Sequence, residues 1–157
     1  MNTEVFTRFS SLDIQIHWAT VTIAFFAGLL QLILSKGNAR HRVVGRIYAA
    51  MMIVTSVAAF FIRSPAPEGP IGYLSLTGMS PIHLFIPLTM VTVTLGVLAA
   101  RRGDIKAHKR HMIGSFLGAL IIAGAFTFLP NRRMHMLFFA DDARMDEVRG
   151  WYEGEGN

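Results

Sequence analysis

Apolar residues run along this chain in four long stretches, separated by two short basic breaks and one break rich in proline and glycine. A helix needs about 20 mostly apolar residues to cross a hydrocarbon core of about 30 Å. Four windows meet that requirement: Ile14 to Leu34, Val43 to Ile62, Ile82 to Ala100 and Met112 to Leu129, and none holds an Asp or Glu. The pattern predicts an all-α integral membrane protein, a four-helix bundle over residues 1–133 with a short interfacial and soluble segment over 134–157. The first window is too long, and with His17, Thr20 and Thr22 too polar at its start, for a cleavable leader, so it reads as a retained span.

The breaks are of two kinds. Lys36-Gly-Asn-Ala39 and Arg102-Gly-Asp104 read as tight helix-helix turns, with Asp104 placed to cap the helix that follows. Arg63 to Pro81 carries Pro65, Pro67, Gly69, Pro70, Gly72 and Gly78, and predicts a longer loop without helix or strand periodicity. Beyond Pro130, Met134 to Phe139 is apolar enough to lie along the interface. The acidic stretch from Asp141 onward predicts a helix that frays at Gly154-Glu-Gly-Asn157.

Composition sharpens the membrane reading. Of 157 residues, 52% are hydrophobic and 16% charged, against about a quarter charged in soluble domains, which excludes a water-soluble enzyme with its own nucleotide-binding sheet. With no cysteine, thiolate chemistry and iron-sulfur ligation are excluded too. The two short turns and their flanks hold nine basic residues, Lys36, Arg40, Arg42, Arg46, Arg101, Arg102, Lys106, Lys109 and Arg110, against Asp104 alone, for a net +8. The amino tail, the Pro/Gly loop and the carboxyl tail hold six basic and nine acidic residues, for a net −3. Basic residues near span ends stay on the cytoplasmic side. The expected topology is therefore a multi-pass inner-membrane protein with cytoplasmic turns and both termini outside. Turns this short suit anionic lipid contact and not nucleic acid.

The histidines disclose a repeat. His17 and His83 stand at the outer starts of the first and third spans, and His41 and His108 at the inner starts of the second and fourth, 24 and 25 positions later. Each half crosses twice, which relates the halves by an axis along the membrane normal. At about 100° per residue, Ala24, Gly28, Gln31 and Ser35 share the face of His17. Pro87, Met90, Thr94 and Arg101 share that of His83, while Gly45, Tyr48, Met52, Thr55 and Ala59 share that of His41. Polar atoms in a bilayer prefer the bundle interior, so these faces should meet. Gly114, Ser115, Gly118, Ala119, Ala123 and Gly124 give the fourth helix a small face, and Gly114-Ser-Phe-Leu-Gly118 matches a close-packing motif or a slot for a flat group or a partner helix.

Four runs carry a family resemblance: His41-Arg-Val-Val-Gly-Arg-Ile-Tyr48, Ser80-Pro-Ile-His-Leu84, Arg101-Arg-Gly-Asp-Ile-Lys-Ala-His-Lys-Arg110 followed by Met112-Ile-Gly, and Ala123-Gly-Ala-Phe-Thr-Phe-Leu-Pro130 with Arg132. From His17 to about Ala140 the chain resembles the bacterial membrane proteins grouped as domain of unknown function 2306. The resemblance implies a polytopic membrane protein and brings no activity with it. Members commonly carry Trp where this chain has His111.

Two histidines from facing helices at each rim is the arrangement that a bis-imidazole b-type haem requires. The expected cofactor is haem b, held by His17 with His83 and by His41 with His108 or His111, making a transmembrane electron carrier. Arg42, Arg46, Arg101, Arg102, Lys109, Arg110 and Arg132 are the expected lipid or propionate contacts, with Arg8 and Arg63 further candidates outside. Both pairs sit near the headgroups, since His17 to Ser35 alone spans roughly 27 Å. The competing reading is a non-catalytic accessory or assembly subunit. Its partners would be the bilayer, other membrane subunits or a quinone, and the Trp151-Tyr152 pair would be an anchor or docking point. The spans lack the carboxylates a zinc or iron hydrolase adds to histidine and the midplane ionisable group a transporter uses. No catalytic constellation is present beyond electron transfer.

Overall fold

The computed structural model describes residues 10–62, 81–129 and 133–153. The loop expected from Arg63 lies outside the described residues except for its end at Pro81, as do Arg8 and Arg132. The described residues are helical with no strand: α1 (Leu12–Ile33), α2 (Ala39–Phe61), a single 3-10 turn (Pro81–Leu84) leading into α3 (Phe85–Arg101), then α4 (Ile105–Ser115), a π-helical stretch (Phe116–Ile122), α5 (Ala123–Phe126), α6 (Arg133–Phe139) and α7 (Asp142–Glu153). Three helical segments are long and apolar enough to cross a membrane, Leu12–Ile33, Ala39–Phe61 and Ile82–Arg101. The fourth apolar window is helical from Ile105 to Phe126, but through three segments of different winding.

Helices α2 and α4 start earlier than the apolar windows because their caps do. Asn38 Oδ1 accepts the His41 amide at 2.8 Å and Asp104 Oδ1 accepts that of Ala107 at 2.9 Å, each satisfying a first-turn donor. Gly37 (φ +80) and Gly103 (φ +77) take the left-handed conformation that lets the chain reverse between helices. At the second reversal the Asp104 amide reaches the Ala99 carbonyl at 2.9 Å and the Gly103 amide that of Ala100 at 3.2 Å, closing a Schellman motif. The basic residues after each turn are thereby wound onto helix starts instead of lying in loops.

Helix α1 packs on α2, α2 on α3 and α3 on α4, and the π stretch reaches both α1 and α3. The core at their meeting is Ala24 and Ala27 of α1, Tyr48 and Met52 of α2, Val93 of α3, and Phe116 and Leu120 of the π stretch. Polar side chains inside it are matched: Tyr48 Oη and Ser115 Oγ are 2.9 Å apart, and Thr55 Oγ1 donates to Thr20 Oγ1 at 2.7 Å. Outward faces carry bare apolar side chains such as Phe26, Ile33 and Phe61, each more than 60% exposed, a surface suited to lipid.

Two expected faces fall elsewhere. On α3 the buried positions are Thr89, Val93, Gly96 and Ala99, while Met90 and Thr94 of the predicted His83 face are exposed. His83 lies in the 3-10 turn before α3 and bonds towards the end of α2, so its position does not mark the buried face of α3. The small face of the fourth helix is split: Ser115 and Ala123 are buried and Ala119 packs on the core, while a Cβ at Gly114, Gly118 or Gly124 would meet nothing within 4 Å. Close approach is made at Gly28 and Gly96 instead.

At the far end, Phe138 stacks on Phe128 with centroids 6.2 Å apart, and the His135 amide donates to the Thr127 carbonyl at 3.3 Å, folding α6 back against the end of α5. The acidic helix α7 pairs Arg144 with Glu147 and Arg149 with Asp146 along its own surface.

Candidate functional site

The ends of α2 and α4 that follow the two glycine turns bring two imidazoles together. His41 is the third residue of α2 and His108 the fourth of α4, so the caps at Asn38 and Asp104 fix both in first turns facing across the protein. Their ring centroids are 6.5 Å apart and their planes 81° apart.

The environment of His108 fixes its proton. Its Nδ1 lies 2.8 Å from the Gly96 carbonyl, and a carbonyl only accepts, so Nδ1 carries the hydrogen and Nε2 keeps its lone pair. Gly96 makes that contact possible. A Cβ there would stand 2.6 Å from Met112 Sδ and 3.3 Å from His111 Cβ, so a larger residue would have to displace the Met112 side chain and crowd His111. His111 therefore lies against α3 at Gly96.

His41 is held by its backbone, its amide on Asn38 and its carbonyl accepting Gln31 Nε2 at 2.7 Å. Its Nδ1 is buried without a hydrogen-bond partner, as is Gln31 Oε1. Gln31 passes over Gly45, where a Cβ would approach its Nε2 to 3.2 Å. Periodicity puts Gln31 on the inward face of α1 but gives no sign of this contact, which depends on the angle between α1 and α2.

The outer histidines are held differently. His17 Nδ1 donates to the Thr55 carbonyl at 3.0 Å and His83 Nε2 to that of Ile62 at 3.2 Å. Those carbonyls are seven residues apart on and just beyond α2, about 10 Å along its axis. The two rings thus hang from separate turns of one helix.

Around the inner pair the electrostatics favour an anion. Two helix N-termini point their dipoles there, and the side chains of Arg46, Arg101, Arg102, Lys109 and Arg110 form no hydrogen bond or ion pair among the described residues. Lys36 and Arg42 are used locally: Lys36 Nζ donates to the Leu32 and Leu34 carbonyls at 3.1 and 3.0 Å, and Arg42 Nη1 to that of Gly37 at 3.0 Å. Among the described residues no three His, Asp or Glu side chains converge as a metal-ligand set. What converges is one pair of imidazoles with cations about it.

A family model described as a predicted membrane protein (DUF2306) matches residues 14–152. No curated protein and no solved structure matches the chain.

Proposed function

Since this chain belongs to the DUF2306 family of predicted membrane proteins, we propose that it is a polytopic membrane protein whose inner imidazole pair, His41 and His108, ligates a b-type haem for one-electron transfer. The observation that carries this reading is the 6.5 Å separation of those rings. Metal-imidazole bonds of about 2 Å on opposite sides of one ion place two ring centres roughly 6 Å apart. A porphyrin brings four in-plane nitrogens of its own, so two protein ligands suffice where a bare transition metal would ask for three or four.

The residues present suit that group. His108 offers Nε2 while the Gly96 carbonyl holds its other nitrogen, the outer hydrogen bond that orients a ligating imidazole. The buried, unpartnered Nδ1 of His41 has Gln31 Oε1 in the same cluster as an unused acceptor. Arg46, Arg101, Arg102, Lys109 and Arg110 are placed to neutralise propionates. Bound there, the iron would supply reversible one-electron transfer at a potential set by its axial ligands and its burial. The outer histidines enter as hydrogen-bonded anchors of α1 and α3 on α2, because the two carbonyls that hold them lie about 10 Å apart along that helix. This narrows the two-haem expectation to one haem at the inner rim.

The same reading takes residues 1–133 as a four-helix membrane domain and 134–157 as an interfacial segment. The fourth span is the window Met112 to Leu129, carried on the helical run that starts at Ile105 and continues to Phe126. The net +8 on the turns supports a cytoplasmic side for them. Because the chain has no cysteine, single cysteines report topology directly. Glu155→Cys should react with a membrane-impermeant maleimide on intact spheroplasts and Lys106→Cys only after lysis; the opposite pattern would invert the topology.

The haem reading is tested by content. Protein purified in mild detergent from haem-replete cells should carry one equivalent of non-covalent b haem per chain. A colourless, well-folded preparation would end the proposal.

A further inference from the structure

We propose a binding site for one anionic phospholipid on the outer flank of the α1–α2 hairpin, independent of any cofactor. Leu30 and Leu34 at the end of α1 and Ala39, Arg40, Val43 and Val44 at the start of α2 enclose an open groove of about 360 Å³, within the size range of small-molecule sites. Apart from Arg40, the lining is aliphatic. Leu30 and Val43 are 43% and 53% exposed, on helices long and apolar enough to lie in a bilayer, so an acyl chain is the occupant the membrane supplies.

Charge selects the headgroup. Of the four basic residues about this turn, Lys36 and Arg42 are committed to backbone carbonyls. Arg40 lines the groove, and its side chain has no hydrogen bond or ion pair among the described residues. It is the second residue of α2, so its guanidinium belongs at the level of lipid phosphates, beside the positive end of that helix's dipole. A phosphodiester on Arg40 with its acyl chain between Leu34 and Val43 satisfies the cation and the apolar lining together. Juxtamembrane basic residues attract anionic headgroups at about 1 kcal/mol each, or roughly fivefold in occupancy.

The test uses the full chain reconstituted in nanodiscs of equimolar phosphatidylglycerol and phosphatidylcholine, with retained lipid read by native mass spectrometry after gentle release. The wild type should retain one lipid with about a fivefold preference for phosphatidylglycerol. Arg40→Gln should abolish the preference while leaving some lipid retained. Val43→Trp, which fills the groove without touching a charge, should reduce retention of both lipids. Lys106→Gln, on the other turn, should change neither. Equal retention of the two lipids by the wild type, or a preference that survives both Arg40→Gln and Val43→Trp, would overturn the site. So would a wild-type dimer that Val43→Trp converts to a monomer, since a second copy would then be the occupant.

Discussion

Alanine at His41 or at His108 should each strip the protein of its haem, with bound haem falling at least about tenfold relative to wild type, while His17→Ala and His83→Ala keep the equivalent. The asymmetry follows from where the rings are held. At the inner rim the rings stand 6.5 Å apart. At the outer rim the rings are tied to carbonyls about 10 Å apart along the axis of α2. Losing even an outer-shell partner of a metal ligand costs about 10- to 100-fold in affinity, and losing the ligand costs no less. The helices should survive, because His41 and His108 lie in first turns capped by Asn38 and Asp104 and the buried core is elsewhere. Haem content per folded chain, with helicity as the control, reads the result. Equal losses from all four variants would point to general destabilisation, and loss only from the outer variants would relocate the site.

A second large effect is expected on stability. Gly28→Leu should destabilise the protein by about 3 kcal/mol or more, at or above the usual range for overpacking, because even a Cβ there would stand 2.5 Å from Phe116 Cδ2 and 3.0 Å from Tyr48 Cε2. The Phe116 ring cannot simply swing away: it is buried and stacked on Phe25 with centroids 6.1 Å apart. Relief requires α1 to part from the π stretch. Gly114→Ala, inside a helix and at a position where a Cβ meets nothing within 4 Å, should leave stability unchanged or raise it by up to about 1 kcal/mol. Thermal unfolding in detergent compares the two. A Gly114 variant as damaged as the Gly28 variant would mean that Gly114 itself is covered in the folded protein.

Those two glycines mark where sequence reasoning stops. The helices, their turns and the Asp104 cap were legible because hydropathy, left-handed glycines and capping side chains act within a few residues of one another. The charge asymmetry was legible because it needs only counting. Faces were legible where the winding is regular: from His41 along α2 the phase leads to Tyr48, Met52 and Thr55, all buried. They were lost where it is not. His83 belongs to the 3-10 turn at Pro81–Leu84 and not to α3, and the stretch at Phe116–Ile122 is π-helical, with Phe116 and Leu120 buried and Gly118 open.

For the candidate site, spacing paired the histidines at both rims alike, but only packing distinguishes two rings meeting across the protein from two rings hung on one helix. The Gln31, Gly96 and Ser115 contacts belong to the same class. Each residue is recognisable as small or polar inside an apolar span, and its partner is set by helix crossing, which no local pattern records.

The central claim is that two imidazoles of this chain share one iron, and electron paramagnetic resonance of the oxidised, purified wild type tests it most directly. The account predicts a low-spin ferric haem spectrum with two nitrogen axial ligands. A high-spin spectrum, which leaves the iron with at most one imidazole, or no haem signal from folded protein grown with ample haem, would contradict it.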